Sequence, residues 1–350
     1  MAKPGDLTHT GAMRAVAYQK SLPISDPSSL VDIELPDPVP TGRELLVEVR
    51  AIAVNPVDTK VRLRAEPAAG EWKVLGWDVA GVVRAVGPDA VKFAPGDEVF
   101  YAGALGRPGA NSELHVVDEH LVGRKPSSLG FAEAAALPLT SVTAWEMLFE
   151  RLHVKRPILG SAHAIVIVGG AGGVGSVAIQ LARQLTDLIV IATASRPETQ
   201  DWVRELGAHH VIDHEKPLAA EIAALGLGSP GIVFSTTHTD RHVDEIVKLL
   251  APQGRLGLID DPETFDIVPF KQKSLSVHWE LMFTRSMFDT VDLREQGVIL
   301  DDVSRLIDAG TLRTTLGEHL GRIDAANLKQ AHALLESGRA RGKLVLEGFR

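Results

Sequence analysis

Residues 164–176 read AIVIVGGAGGVGS. Ile165 to Val168 is a run of β-branched residues too short for a lone helix, and it predicts a buried parallel strand. Five glycines stand among the next seven residues. Gly170, Gly172 and Gly175 have the G-x-G-x-x-G spacing of a dinucleotide-binding turn, with Gly173 and Val174 between them. Residues 176–185 then predict a helix, with Val177, Ile179, Leu181 and Leu185 apolar, and residues 188–193 a second strand. The physical requirement is a pyrophosphate lying against backbone N–H groups at a helix N-terminus, where a Cβ would block it. A purely structural glycine turn is the plain alternative. The flanking strand, helix and second strand argue against it. A P-loop is excluded, because no Gly-Lys-Ser/Thr follows.

The end of the second strand bears on the choice of cofactor. NAD sites commonly place Asp or Glu there, about 20 residues past the glycines, to bind the ribose hydroxyls. Here the sequence is Ala194-Ser195-Arg196-Pro197, and Glu198 comes only in the next predicted helix. A hydroxyl beside a guanidinium suits a 2′-phosphate, so Ser195 and Arg196 predict NADPH. A solvated loop arginine is the alternative.

At 350 residues the chain has room for two domains. Hydrophobic content of 45% and charged content of 23% are those of a soluble globular protein. A net charge of −9 without a basic cluster argues against nucleic acid or an acidic membrane as partner. No apolar run is long enough to span a bilayer, and the first dozen residues lack a secretory apolar core, so a cytoplasmic protein is expected. Residues 1–12 read as a disordered extension. Cysteine is absent, which excludes disulfides, a thiolate nucleophile and a Cys₄ zinc site.

From Met13 to about Lys125 the pattern is all-β, with Pro36, Pro38, Pro40, Pro88 and Pro95-Gly96 marking turns. Residues 131–137 begin helical structure, Pro138 interrupts it, and residues 143–150 continue as a second helix. Beyond Ala164, strands and helices alternate, with strands expected at 211–213, 231–235, 254–259 and 275–279. That alternation implies an α/β fold with a doubly wound parallel sheet. Helices at 301–309 and 325–338 and a strand from Lys343 complete the chain.

An all-β part, a Rossmann part and a C-terminal return resemble the medium-chain dehydrogenase/reductase superfamily. Asn55-Pro-Val-Asp-Thr-Lys, Leu75-Gly-Trp-Asp-Val-Ala-Gly, Pro95-Gly-Asp-Glu-Val, Leu137-Pro-Leu-Thr-Ser-Val-Thr-Ala-Trp and Gly169-Gly-Ala-Gly-Gly-Val-Gly match its motifs in order. Within it the chain looks like the zinc-lacking quinone oxidoreductase branch, above all a bacterial subgroup often labelled a zinc-binding alcohol dehydrogenase family protein. The resemblance implies a GroES-like catalytic domain from residues 13–138 and 290–350, and a Rossmann NADP-binding domain from 139–289. It also implies a homodimer paired through sheet edges, with residues 275–279 as the candidate edge.

Zinc enzymes of the superfamily place a Cys and a His where this chain has Asn55 and Trp77. Neither is a suitable ligand, so no metal is expected. The histidine pairs His210/His214 and His238/His242 read as surface or cofactor contacts. Without metal, hydride transfer to a quinone or an α,β-unsaturated carbonyl is the expected reaction, because its product anion spreads charge. The rival expectations are a zinc-dependent alcohol dehydrogenase and a non-catalytic NADPH-binding protein.

The resemblance carries Asn55, Asp58 and Lys60 into the catalytic cleft. Asp58 is expected to organise Asn55 and Lys60, and Lys60 to supply a proton. It places Thr143 near the nicotinamide as the start of an interdomain helix, where it would also serve as an N-cap. It places His214 near the adenosine, Thr236 and His238 at the carboxyl edge of the fourth strand, and Ile259 beneath the nicotinamide. Lys343 is expected to reach the cofactor phosphates. Trp77, Phe283 and Met287 are expected to line an apolar substrate pocket.

Overall fold

A computed structural model describes residues 11–349. Of the expected extension, residues 1–10 lie outside the described residues, and Ala12 already opens the first strand. The first part of the chain comprises β1 (Ala12–Tyr18), β2 (Val31–Pro36), β3 (Glu44–Val54), α1 (Pro56–Arg64), β4 (Lys73–Val74), β5 (Val79–Val86), β6 (Glu98–Tyr101), β7 (Leu114–Asp118) and β8 (Val122–Arg124). Strands β2, β1 and β4 form a small sheet; β3 pairs with β5 and β7 in a larger one.

Helix α1 corrects the all-β reading of this region, and it is the helix that carries the candidate site. Asn55 is extended, with φ of −126°, and Pro56 sets the first helical φ without leaving an N–H unbonded. The Asp58 carboxylate turns back to accept the Asn55 backbone N–H at 2.8 Å. The apolar run of β3 hides this start from a pattern reading, because burial continues straight through Val54 into Asn55.

Helices α2 (Phe131–Ala135) and α3 (Pro138–Trp145) follow, and α3 widens into a π-helical segment, Glu146–Arg151. Then come β9 (Ala162–Val168), α4 (Gly173–Leu185), β10 (Ile189–Thr193), α5 (Pro197–Glu205), β11 (His210–Ile212), α6 (Leu218–Ala224), β12 (Pro230–Ser235), α7 (Thr239–Leu249), β13 (Arg255–Leu258) and β14 (Ser276–Trp279). Their sheet is parallel, in the order β11-β10-β9-β12-β13-β14. This is the Rossmann order, with its switch point between β9 and β12. Ile165, Val166, Ile167 and Val168 of β9 are buried to within 1%, as a central strand covered on both faces requires.

The chain ends with α8 (Thr284–Phe288), α9 (Glu295–Asp308), β15 (Leu316–His319), α10 (Ala325–Glu336) and β16 (Lys343–Glu347). Helix α9 starts six residues before the expected 301. Strand β16 pairs antiparallel with β3, so Leu344 lies opposite Val54 and the C-terminal segment rejoins the first sheet. That return sets Lys343 beside Asn55.

Candidate active site

The two halves of the site are built differently. On the Rossmann side, β9 ends at Val168, Gly169 follows with φ of +75°, and the Gly170 N–H donates to Thr193 O at 3.1 Å. Helix α4 begins at Gly173, three residues earlier than the sequence pattern suggested, so the turn runs straight into its N-terminus. A Cβ on Gly175 would stand 2.4 Å from Gly169 O; one on Gly170 would stand 3.0 Å from the Ala192 Cβ. These glycines allow the turn to fold onto itself and the helix to pack on the sheet. Backbone N–H groups at the start of α4 are thereby open to a pyrophosphate, and the cradle fits a dinucleotide.

Around this turn stand the other expected cofactor residues. Thr236 Oγ1 donates to Val168 O at 2.8 Å and ties the ends of β12 and β9 together. His214 Nδ1 lies 3.1 Å from Thr193 Oγ1, and its ring meets that of His242 edge-on at 6.4 Å. Burial pushes both imidazoles below their ordinary pKa. His238 caps α7 in a left-handed conformation, φ +51°, with Nδ1 2.8 Å from Thr237 Oγ1. Ser195 and Arg196 follow β10, as expected, and both are half-buried. Arg196 donates Nη2 to Arg339 O at 3.1 Å, and its Nε lies 3.1 Å from the Glu198 carboxylate. Ile259 follows β13 directly and is half-buried.

The other half is a buried network of side chains. Lys343 Nζ donates to Val54 O at 3.1 Å, to Asp78 Oδ2 at 2.8 Å and to Asn55 Oδ1. The Asn55 amide donates Nδ2 to Asp78 Oδ2 at 2.8 Å. The second Asp78 oxygen accepts the Leu139 N–H at 2.7 Å, at the start of α3. Asp78 therefore joins four segments: the head of β5, the start of α1 at Asn55, the start of α3 and the C-terminal strand. Burial pushes its pKa upward, and the Lys343 ammonium opposes that shift. Asp58, also fully buried, is pushed up to about 7 chiefly by desolvation.

Several expectations change here. The three N–H bonds of the Lys343 ammonium are all committed, so it does not stand free for cofactor phosphates; only its methylene stem lies against Gly173. Lys60 pairs not with Asp58 but with Asp261, at 2.8 Å, on the loop after β13, and Arg64 reaches the same carboxylate at 3.6 Å. Thr143 is inside α3 rather than at its start, and its hydroxyl donates to Leu139 O at 2.7 Å. Trp77 and Phe283 are 2% exposed and meet edge-to-face at 6.3 Å, whereas Met287 is 48% exposed. These three belong to core and surface and do not share one open wall. Asp78 was missed altogether. Its signal in the sequence is the Gly76-Trp77-Asp78 motif, in which Trp77 occupies the metal-ligand position and Asp78 follows it.

Two family models match the chain: an alcohol dehydrogenase GroES-like domain over residues 41–144 and a zinc-binding dehydrogenase domain over 206–346. A zinc-type alcohol dehydrogenase-like protein of Staphylococcus aureus is 35% identical over 95% of this chain and 99% of its own length. Among solved structures, a Rhizobium etli protein described as a zinc-dependent alcohol dehydrogenase is 66% identical, with a TM-score of 0.96 over 98% of this chain and all of that one. A Pseudomonas syringae quinone oxidoreductase matches with 25% identity and a TM-score of 0.79, over 96% of this chain and 99% of that one. A mycobacterial protein solved in complex with NADPH matches with 25% identity and a TM-score of 0.80, over the same shares.

The zinc in these descriptions can be tested against the residues present. Trp77 offers no lone pair and donates its indole N–H to Ala104 O at 3.3 Å. The Asn55 carbonyl oxygen already accepts from an ammonium. Among the described residues, no group of three or more His, Asp or Glu is arranged to hold a metal ion. A set of one neutral amide, one indole and a neighbouring cation does not fit Zn²⁺. By its motifs, its two matched domains and its near full-length relatives, the chain belongs to the medium-chain dehydrogenase/reductase superfamily of oxidoreductases.

Proposed function

We propose that the protein is an NADPH-dependent reductase of quinones or α,β-unsaturated carbonyls that works without metal. One observation carries the reading: the Lys343 ammonium, bonded to Asn55 and Asp78, sits beside a position where zinc enzymes of the superfamily bind their metal. A site without a Lewis acid favours acceptors whose reduced anion is delocalised. The quinone oxidoreductase among the structural neighbours agrees with that choice. When bound, the cofactor supplies the hydride. Glycines 170, 172, 173 and 175, with Val174, would hold its phosphates by backbone N–H groups. Arg196 and Ser195 would take the 2′-phosphate, once Arg196 exchanges Glu198 for that phosphate. His214, Thr236 and His238 would flank the adenosine side, and Ile259 the nicotinamide.

The residues of this chain then do the following work. Asp58 holds the N-terminus of α1, and Asn55, Asp78 and Lys343 hold that turn against α3. Lys60, on the same helix and 37% exposed, would supply the proton to the reduced oxygen on leaving Asp261. Two copies would pair through β14, the outer strand of the parallel sheet, beside the exposed Trp279 and Leu281. Gel filtration at the monomer mass would discard that pairing.

The decisive experiment follows oxidation of NADPH by an ortho-quinone before and after treatment with a strong chelator. Unchanged turnover supports the proposal; activity lost on chelation and restored by zinc overturns it. Tight NADPH binding without turnover on quinones or a panel of enones would favour a non-catalytic binding protein.

A further inference from the structure

At the opposite end of α4 from the glycine turn, about 20 Å along the helix axis, a surface cavity of about 470 Å³ opens. It lies between Trp145, Phe149, Leu185 and the loop residues His153, Lys155 and Arg156. The two rings form a corner, with centroids 5.0 Å apart and planes at 60°. Lys155 Nζ lies 5.3 Å from the centre of the Phe149 ring.

Both sides of this cavity are held in place. Arg255, reaching from β13, donates Nη1 to the carbonyls of Leu152, His153 and Arg156 at 2.8, 3.0 and 3.2 Å. His153 adopts a left-handed φ of +45° in the loop so pinned. Phe149 belongs to the π-helical turn, a feature that often marks functional sites. Arg285 anchors that turn from behind through Glu146 and Glu150.

The charge of the cavity is one-sided. Among the described residues, Lys155 and Arg156 are its only formally charged lining residues, in a chain of net charge −9. Nearby carboxylates are already engaged: Glu150 with Arg285 at 2.8 Å and Asp187 with His163 at 2.8 Å. An aromatic corner under a cationic rim selects a flat apolar body carrying an anion. The volume is that of an ordinary small-molecule site.

We propose that this cavity binds an aromatic carboxylate, with its ring against Trp145 and Phe149 and its carboxylate on Lys155 and Arg156. The site shares no residue with the cofactor crevice and stands whether or not the quinone reading does.

Calorimetric titration with 2-naphthoate, with and without saturating NADPH, tests it. One site is expected, unaffected by NADPH. The doubly reversed variant Lys155→Glu/Arg156→Glu should weaken it at least about tenfold, the loss of one charge-assisted contact. Both changes are on exposed residues, so an unchanged melting curve checks the fold. The neutral 2-naphthamide should bind the parent more weakly than 2-naphthoate does, and should lose less on charge reversal. No saturable binding by the parent, equal affinity in the reversed variant, or displacement by NADPH would overturn the assignment.

Discussion

The glycine turn and the Asn55–Asp78–Lys343 network meet where the Lys343 stem lies against Gly173, yet they are made of different material. The turn consists of backbone N–H groups from one contiguous stretch, and its side chains matter by being absent. The network consists of three side chains from distant places in the chain, Asn55, Asp78 and Lys343, closed by the backbone N–H of Leu139. A backbone site tolerates change outside its glycines. A buried charged network fails when any one member is removed, because the others are left without partners.

The largest expected effect tests the network. Lys343→Met leaves the Asp78 carboxylate buried and unpaired, which should cost about 3–5 kcal/mol of stability in denaturant unfolding. The double variant Lys343→Met/Asp78→Asn should recover a large part of the loss. If the single variant is as stable as the parent, the network is ornamental and the contrast with the turn collapses.

Next comes Lys60, the proposed proton donor. Lys60→Met should lower kcat with a quinone by about a hundredfold or more, as removal of a general acid does. Stability should barely move, because its ion pair with Asp261 is exposed. Asp261→Asn should leave most of kcat intact. An unchanged kcat in Lys60→Met would assign the proton to another group.

Gly175→Ala probes the backbone half. Its Cβ would press on Gly169 O, and overpacking of this kind costs about 1–3 kcal/mol. Fluorescence titration should show NADPH binding weakened by roughly tenfold to a hundredfold, with the Lys343 network and its stability intact. Loss of stability without loss of NADPH affinity would show the glycine to be purely structural.

The last effect is one of pH. The Asp58 carboxyl is held up to about 7 in the folded protein, well above its ordinary value. The folded state therefore binds more protons than the unfolded chain between roughly pH 4 and 7. This contribution favours folding at the acidic end of that window and is lost as pH rises through 7. Asp58→Asn should flatten that decline in thermal melts between pH 5 and 8. An unchanged slope would mean that Asp58 ionises without penalty.

The legible and illegible parts of the site follow the same division. Gly170, Gly172 and Gly175 could be read at once, since a turn that brings phosphate to backbone leaves its spacing in neighbouring residues. Arg196 was placed correctly at the end of β10, but its contacts with Glu198 and Arg339 were not visible. For Lys60 the sequence offers Asp58 as the organising neighbour, and the ion pair it makes is not legible there. Its carboxylate, Asp261, is 201 residues away, while Asp58 is two away in sequence and turned inward to cap α1. Trp77 and Phe283 read equally well as pocket or core, because an aromatic residue has the same pattern in either setting.

The alternation of strands and helices beyond Ala164, the glycine turn and the superfamily were determined by the sequence alone. Each rests on local periodicity, on glycine spacing or on motifs in register. Tertiary structure alone decided that Lys343 would meet Asn55 and Asp78, that Lys60 would meet Asp261, and that Asp58 would be sealed from water. Those outcomes depend on β16 returning to pair with β3 and on α1 lying against the loop after β13. The physical reason is range. Backbone geometry repeats every few residues and leaves a periodic trace, whereas the partner of a buried charge is chosen by whichever distant segment the fold brings within about 3 Å of it.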